Sequence, residues 1–167
     1  MILDAREPIG LPKRTSGFDF LVGRWNVANR RLRSPLTGSD EWYETHATAT
    51  SGTLHNGAIS IDEMWYPELG FAGSSIRVHT PHDDRWTIYW VNSDTGHLQP
   101  PVFGRWEEDG QRFVATGPDV YDGTEIRARY LWHSIAPHSA VWEQAFSTDD
   151  GATWETNWVM TWTRDRD

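Results

Sequence analysis

Residues 124–133 read TEIRARYLWH, and residues 139–147 read SAVWEQAFS. Both segments are rich in aromatic and β-branched residues, and their large side chains alternate with the period of two that is typical of strands. Pro137 marks a turn between them. The two segments therefore predict neighbouring antiparallel strands joined by a short hairpin connection.

The same pattern extends outward from this hairpin over most of the chain. Turn signals rich in Gly, Asn, Asp and Pro recur at intervals of roughly ten residues and divide the sequence into about ten candidate strands. The predicted strands cover residues 23–33, 41–53, 57–66, 71–79, 85–92, 101–108, 111–116, 124–133, 139–147 and 154–164. Because the connections are short, sequential strands are expected to pair antiparallel. The predicted fold is all-β, a single antiparallel meander closed into a β-barrel, with two facing sheets as the alternative.

The composition fits one core of this kind. The chain has 167 residues, the usual size of one domain, and its 11 Trp, 6 Phe and 5 Tyr supply bulk that a hydrophobic content of 38% would otherwise lack. No internal repeat or linker marks a second domain. We expect an irregular N-terminal arm over residues 1–14, where prolines and glycine occur without periodicity, and one barrel domain over residues 15–167.

Charge and cysteine content exclude several classes of function. A formal net charge of −9 disfavours nucleic acid and anionic membrane surfaces as partners. The chain has no Cys, which removes disulfides, thiolate nucleophiles and Cys-ligated metals. Since no run of about 20 apolar residues and no signal-peptide region occurs, the expected location is cytoplasmic.

The opening segment, residues 18–25, reads FDFLVGRW and places Gly23-x-Trp25 directly after residues 16–22, which can form one short helical turn. This arrangement resembles the calycin superfamily, in which lipocalins and fatty-acid-binding proteins begin their barrels in this way. In that resemblance Trp25 closes the barrel floor, and a basic residue of the last strand lies across its indole ring. Arg164 fits this role. The resemblance implies an N-terminal helical plug and a structural rather than catalytic role for Trp25 and Arg164.

Segments from residue 86 to the C-terminus add a more particular likeness. Residues 86–90 (WTIYW), 100–105 (PPVFGR), 140–147 (AVWEQAFS) and 150–158 (DGATWETNW) are similar to a family of bacterial lipocalin-like domains of mostly undetermined function. This resemblance implies a fold and carries over no catalytic residues. The connection at residues 34–40 is too short for the helical lid of fatty-acid-binding proteins. The glycine-rich sequence of haem-binding, nitrobindin-type barrels is missing after Trp25, which leaves haem as a minor alternative, and no cofactor is expected.

Seven histidines raise the question of a metal site. The pairs His79/His82 and His133/His138 each flank a proline turn, so neither has the helical i, i+4 spacing that is typical of a zinc motif. We interpret them as solvated turn residues and predict no metal. His46 and His133 lie in predicted strands, where each side chain can face either the interior or solvent.

Alternation along the last three strands indicates candidate site residues without deciding which face is inside. If the face of Arg129 points inward, Arg129, Glu143 and Asn157 can form a polar cluster across adjacent strands that orients a carboxylate or carbonyl or moves a proton. Trp142 and Trp158 would then face outward. The alternative is cross-strand ion pairing on the barrel surface, which needs no ligand.

Three functions are consistent with these residues. The first is binding of a small hydrophobic or aromatic ligand in an aromatic-lined cavity. Its candidate ligand-binding residues are Trp86, Trp90, Tyr130, Trp142, Gln144, Asn157 and Trp158. The alternative is a cofactor-independent isomerase, cyclase or hydratase that uses Glu143, Arg129 or His46 as acid or base. The third treats the aromatic surplus as core plus an exposed patch for self-association as a homodimer.

Overall fold

A computed structural model describes residues 17–165. Within these residues, one 3₁₀ turn, Asp19–Leu21, precedes ten strands. The strands are β1 (Gly23–Leu32), β2 (Trp42–Leu54), β3 (Ile59–Tyr66), β4 (Phe71–Thr80), β5 (Arg85–Asn92), β6 (Val102–Trp106), β7 (Phe113–Tyr121), β8 (Thr124–Ala136), β9 (Ser139–Ser147) and β10 (Glu155–Arg164). The irregular arm expected over residues 1–14 lies outside the described residues.

The strands form a closed antiparallel barrel in which each strand pairs with the next one along the chain. β1 and β10 complete the ring, with Trp25 opposite Arg164 and Arg31 opposite Trp158. The predicted all-β meander of ten strands is confirmed, and the alternative of two facing sheets is wrong because the sheet closes on itself. In the range 17–165, no helix is long and apolar enough to cross a bilayer.

Short turns join the strands because residues with positive φ let the chain reverse. Asn56 and Gly57 adopt φ values of 54° and 77° between β2 and β3, and Asp122 and Gly123 adopt 46° and 75° between β7 and β8. These Asn, Asp and Gly residues are the turn signals of the sequence. They explain why the strand boundaries follow the predicted ones closely.

The boundary between β6 and β7 differs from the one expected. β6 ends at Trp106, and β7 continues to Tyr121 instead of ending at residue 116. β6 pairs with β7 only as far as Thr116. Beyond that point the edge of β7 that faces β6 is not paired with a strand, so a proline is tolerated there. β7 therefore keeps its pairing with β8 through Pro118, which lies opposite Arg127.

One end of the barrel, here called the floor, is closed by a packed aromatic core. Phe18, just before the 3₁₀ turn, is fully buried, and its ring centroid lies 4.9 Å from that of Trp86 and 5.0 Å from that of Phe113. Such aromatic pairs stabilise a core by about 0.5–1.5 kcal/mol each beyond the burial of area. Because successive strands run in opposite directions, the connections that follow β1, β3, β5, β7 and β9 form the other end, the mouth.

Trp25 and Arg164 seal the floor as the sequence predicted. The indole Nε1 of Trp25 donates a hydrogen bond of 2.7 Å to the main-chain oxygen of Leu21. The guanidinium carbon of Arg164 lies 4.2 Å from the centre of the Trp25 ring. Arg164 also donates to the main-chain oxygens of Phe20 at 2.8 Å and Val22 at 2.7 Å. The helical plug and the stacking of Arg164 on Trp25 are confirmed.

Candidate ligand-binding cavity

Between the floor and the mouth the barrel encloses a cavity of about 420 Å³. Sites for small organic molecules span about 300–1,000 Å³, so this volume suits one such molecule. The polar and charged side chains nearest the mouth are Arg31, Arg33, Asn92, Gln99 and Asp119. The deeper wall is mostly apolar and aromatic.

Aromatic side chains that the sequence assigned to ligand binding line this wall. Tyr130 on β8, Trp142 on β9 and Trp158 on β10 lie side by side, and Trp90 on β5 lies across the barrel. The ring centroids of Tyr130 and Trp142 are 5.3 Å apart, as are those of Trp142 and Trp158. Trp142 and Trp158 meet edge to face, an arrangement that aromatic pairs prefer. The three rings form one continuous aromatic surface.

Trp90 takes its place because a neighbouring strand has no side chain there. A Cβ atom added to Gly73 on β4 would lie 2.0 Å from Cη2 of the Trp90 indole, far inside any allowed contact. The indole therefore packs directly against the backbone of β4. This contact sets the shape of the cavity on the β4–β5 side.

A β-bulge in β10 decides which of its residues face the cavity. The register between β9 and β10 shifts between Thr156 and Trp158. Asn157 and Trp158 are consecutive, yet both line the cavity, because the bulge inserts one extra residue into the alternation. Plain alternation predicts Asn157 and Trp158 on opposite faces, and this prediction is wrong for β10.

Side-chain amides add hydrogen-bonding groups to the aromatic wall. Nε2 of Gln144 donates to Oδ1 of Asn157 at 2.9 Å, and the indole Nε1 of Trp158 donates to Oδ1 of Asn29 at 3.0 Å. Asn29 and Asn157 are buried, and buried amides of this kind are normally held by partners. Nδ2 of Asn157, however, has no partner within the described chain.

A buried ion pair, which the sequence analysis missed, also lines the cavity. Nη2 of Arg77 donates to Oδ2 of Asp62 at 2.5 Å, and the two side chains are only 4% and 1% exposed. Oδ1 of Asp62 accepts the main-chain N–H of Ser75 at 3.1 Å, and the guanidinium lies 5.1 Å from the centre of the Phe18 ring. A buried charge is costly unless it is paired. The close pairing makes this part of the wall neutral overall.

Arg31 lies at the mouth end of the aromatic wall and was not singled out by the sequence either. In the strand register it is opposite Tyr43 on β2 and Trp158 on β10. Its guanidinium carbon lies 4.0 Å from the centre of the Trp158 ring. Stacking on the indole holds this cation at the cavity entrance while its N–H edges stay free to donate.

Burial makes two phenols of this region, those of Tyr66 and Tyr130, harder to ionise by raising their pKa. Burial raises the pKa of Tyr130 to about 12, and the charge of Asp119 adds to this shift. Burial also raises the pKa of Tyr66 well above its usual range, although nearby Arg31 offsets part of the effect. Tyr130, which lines the cavity, is therefore a neutral hydroxyl donor and acceptor.

Arg129 and Glu143, two of the predicted acid–base residues, lie on the outer surface of the barrel. Arg129 stacks on Trp154, with 4.6 Å between its guanidinium carbon and the ring centre. Burial there lowers the pKa of Arg129. Oε1 of Glu143 lies 3.2 Å from Nε2 of His133, on the neighbouring strand. Because Asn157 faces the interior, the predicted cluster of Arg129, Glu143 and Asn157 does not form, and Arg129 makes no ion pair with Glu143 among the described residues.

His46 and Trp86 also lie away from the cavity. The His46 side chain is 74% exposed, and its main-chain N–H donates to Glu68, which lowers the pKa of that carboxyl. Trp86 is fully buried in the floor. His79, expected to be a solvated turn residue, is instead buried beside Trp86, with Nε2 2.8 Å from Oδ1 of Asp84. Among residues 17–165, no group of three or more His, Asp or Glu side chains could hold a metal ion.

Known proteins resemble this chain in structure but not in sequence. No protein-family model and no curated protein matches it. The S-type phycobiliprotein lyase CPES of Guillardia theta superposes with a TM-score of 0.55 at 12% identity, covering 89% of this chain and 90% of that one. Rv2717c of M. tuberculosis superposes with a TM-score of 0.56 at 10% identity, covering 89% and 94%. The barrel is lipocalin-like in fold. At these identities the lipocalin-like barrels share architecture with this chain, and no ligand follows from the likeness.

Proposed function

We propose that this protein binds one small, largely apolar organic molecule with a flat ring system, and that it belongs with the bacterial lipocalin-like domains its sequence resembles. The observation that carries the proposal is the cavity of about 420 Å³ with Tyr130, Trp142 and Trp158 side by side on its wall. Small-molecule sites combine apolar and aromatic side chains with placed polar groups, and both kinds line this cavity.

The contrast between the two halves of the barrel interior supports a ligand. Protein cores pack to a density of about 0.75 with few voids larger than a water molecule. The floor, where Phe18, Trp86 and Phe113 interlock, is filled in this way. A cavity costs stability roughly in proportion to its volume unless something occupies it. The cavity between the filled floor and the mouth is therefore better explained by a bound molecule than by an aromatic core.

The polar groups of the wall suit a ligand that carries oxygen atoms. Gln144 and Asn157 would orient carbonyl or hydroxyl groups, and Tyr130 would act as a neutral phenol. One protein with the same architecture is a phycobiliprotein lyase. Bilins therefore belong among the compounds to be tested, together with aromatic acids, fatty acids and polyketide-like molecules.

The alternative, a cofactor-independent isomerase, cyclase or hydratase, has weaker support. Its candidate acid–base residues, Glu143, Arg129 and His46, lie outside the cavity. Asp62, inside the cavity, is already paired with Arg77. A phenol with a pKa of about 12 is a poor base near neutral pH. The homodimer and the cytoplasmic location stay predictions.

Intrinsic tryptophan fluorescence tests the proposal, since Trp90, Trp142 and Trp158 line the cavity. The protein would be titrated with an aromatic acid, a fatty acid, a polyketide-like compound, haem and biliverdin. We expect saturable quenching by one class, with one molecule bound per chain by calorimetry. The absence of a saturable response to every class would contradict the proposal and favour an interaction role.

A matched pair of variants separates binding in the cavity from binding at the surface. Ser75→Phe adds a ring to a residue that lines the cavity, and Ser74→Phe adds the same ring on the opposite face of β4. We expect Ser75→Phe to weaken binding by about tenfold or more, and Ser74→Phe to change it by less than about twofold. Equal effects of the two variants would mean that the ligand binds elsewhere.

A further inference from the structure

We infer that the ligand is an organic acid whose anionic group binds Arg31 at the mouth while its ring system lies against the aromatic wall. This inference rests on the proposed function and names the chemical class of its ligand. Two independent features support it, the balance of charges around the cavity and the balance of hydrogen-bond donors and acceptors within it.

Five charged side chains line the cavity, and most of them are already satisfied. They are Arg31, Arg33, Asp62, Arg77 and Asp119. Arg77 is paired with Asp62, and Nε of Arg33 donates to Glu41 at 2.7 Å. Oδ1 of Asp119 accepts the main-chain N–H of Val120 at 2.8 Å.

Arg31 is the cation left over from this pairing. In the part of the chain that the structure describes, no carboxylate oxygen lies within 4 Å of its guanidinium nitrogens. Asp119 stands on β7, which three strands, β8, β9 and β10, separate from β1 by the shorter way round the barrel. Trp158 covers one face of the guanidinium. A stacked, half-buried cation without a partner carboxylate is a ready binding site for the anionic group of a ligand.

The unpartnered polar atoms of the wall have the same bias. Three residues that line the cavity carry a buried polar atom without a partner among the described residues, and each of these atoms is a donor. They are Nε of Arg77, Nδ2 of Asn157 and Nε1 of Trp162. A buried donor without an acceptor costs about 1–3 kcal/mol. The wall is therefore short of acceptors, which a molecule with carboxylate and carbonyl oxygens would supply.

The position of Arg31 also fixes the orientation of the ligand. Because Arg31 stacks on Trp158, and Trp158 contacts Trp142 deeper in the wall, an acid group at the mouth would place an attached ring beside these indoles. The neutral pair of Arg77 and Asp62 offers no net charge to compete for the acid group. The acid would thus face the mouth and the ring the interior.

Two probes of equal shape test the inference: 2-naphthoate, which is anionic at pH 7.5, and 2-naphthamide, which is neutral. Their dissociation constants would be measured by tryptophan quenching and calorimetry on the wild-type protein and on Arg31→Gln, Arg31→Lys and Arg30→Gln. Arg30→Gln is the matched control, because Arg30 is the adjacent residue, is exposed and stacks on Trp42 outside the barrel.

We expect the wild-type protein to bind 2-naphthoate about tenfold more tightly than 2-naphthamide, the size of one charge-assisted contact. Arg31→Gln should reduce this preference to within about twofold, Arg31→Lys should retain part of it, and Arg30→Gln should leave it unchanged. A purely structural role of Arg31 in supporting Trp158 would weaken both probes equally and overturns the inference.

The outcomes also distinguish the inference from the function on which it rests. Binding of 2-naphthamide without a preference for 2-naphthoate would sink the inference and leave the cavity as a binding site. A preference for 2-naphthoate that remains in Arg31→Gln would likewise contradict the inference and leave the cavity as a binding site. If neither probe binds at millimolar concentration, the inference is contradicted, whereas the proposed function is contradicted only if the wider panel of compounds also gives no saturable response.

Discussion

At the scale of single residues, the missing side chain at Gly73 allows the Trp90 indole to pack directly against β4. Replacing this glycine by alanine would put a methyl group 2.0 Å from the indole. We expect Gly73→Ala to push Trp90 into the cavity, to lower the free energy of unfolding by about 1–3 kcal/mol, and to weaken ligand binding. Urea unfolding and the near-ultraviolet circular dichroism of the tryptophans would measure both effects.

Gly52 provides the control for this substitution. It lies in β2, also inside a strand, but a Cβ atom added there meets nothing within 4 Å. Gly52→Ala should therefore leave the free energy of unfolding unchanged or raise it slightly, by about 0.4–1 kcal/mol, since alanine restricts the unfolded chain. If Gly73→Ala and Gly52→Ala have the same free energy of unfolding, the contact of Trp90 with β4 does not contribute to stability.

Single residues also explain why the buried ion pair escaped prediction. Along β3, Ile61 and Trp65 are 37% and 46% exposed, whereas Asp62 between them is buried. Hydrophobicity therefore points to the wrong face of this strand. Its partner Arg77 lies on β4, 15 residues later, and nothing in the sequence links the two. A charge pair of this kind becomes visible only when the strand register is known.

At the scale of elements, the connection between β9 and β10 is held by the carboxylate of Asp149. Its oxygens accept hydrogen bonds from the Thr153 main chain at 2.8 Å, the Thr153 hydroxyl at 2.6 Å and the Ser147 hydroxyl at 2.7 Å. The bonds from Thr153, followed by that from Ser147, lower the pKa of Asp149 from 3.8 to about 2. The connection is thus stabilised by an ionised carboxylate.

This shift predicts a defined dependence of stability on pH. Because the pKa in the folded state lies below that in the unfolded state, the stabilisation is complete above about pH 4 and is lost as the pH falls towards 2. We expect urea midpoints between pH 5 and pH 2 to fall less steeply in Asp149→Asn than in the wild-type protein. Asp150→Asn is the control, because Asp150 is 87% exposed and its ion pair with Arg127 is a surface pair that contributes little to stability. If the urea midpoint of Asp149→Asn falls with pH as steeply as that of the wild-type protein, the pH dependence does not come from Asp149.

Alternation within an element told less about the site than about the fold. A period of two along β8 and β9 places Tyr130 on one face with Trp132, and Trp142 with Gln144, and all four residues line the cavity. It did not say which group was inside, because both faces mix large and polar side chains. In β10 the bulge before Trp158 broke the alternation itself. Bulges arise from the pairing of two strands, so one strand's sequence does not reveal them.

At the scale of the whole molecule, the sequence predicted the architecture well because turns and aromatic content are local properties. The number of strands, their antiparallel order, the plug and the stacking of Arg164 on Trp25 all agree with the structure. The sequence also indicated an aromatic-lined cavity, but not the cation at its mouth. The position of that cation depends on how residues from distant strands, such as Arg31 and Trp158, meet once the barrel is closed.

The closing pair of strands, β1 and β10, also has a consequence for the rate at which the chain folds and unfolds. All strand pairs except β1–β10 join strands that are consecutive in the sequence, so those hairpins form over short loops. The seam between β1 and β10 instead joins Trp25 to Arg164 across almost the whole described chain, and closing so long a loop is entropically slow. We expect this seam to form late, after the folding transition state.

Arg164→Ala tests this order of events. Loss of the stacking on Trp25 and of the bonds to main-chain oxygens should lower the free energy of unfolding by about 2–3 kcal/mol. In stopped-flow fluorescence the change should appear mainly as faster unfolding.

Arg105→Ala, at an exposed position on β6, is the control and should change the free energy of unfolding by less than about 0.5 kcal/mol. Slower folding of Arg164→Ala with an unchanged unfolding rate would place the seam early instead. If the seam forms last, the arginine that seals the floor would also set the lifetime of the folded barrel.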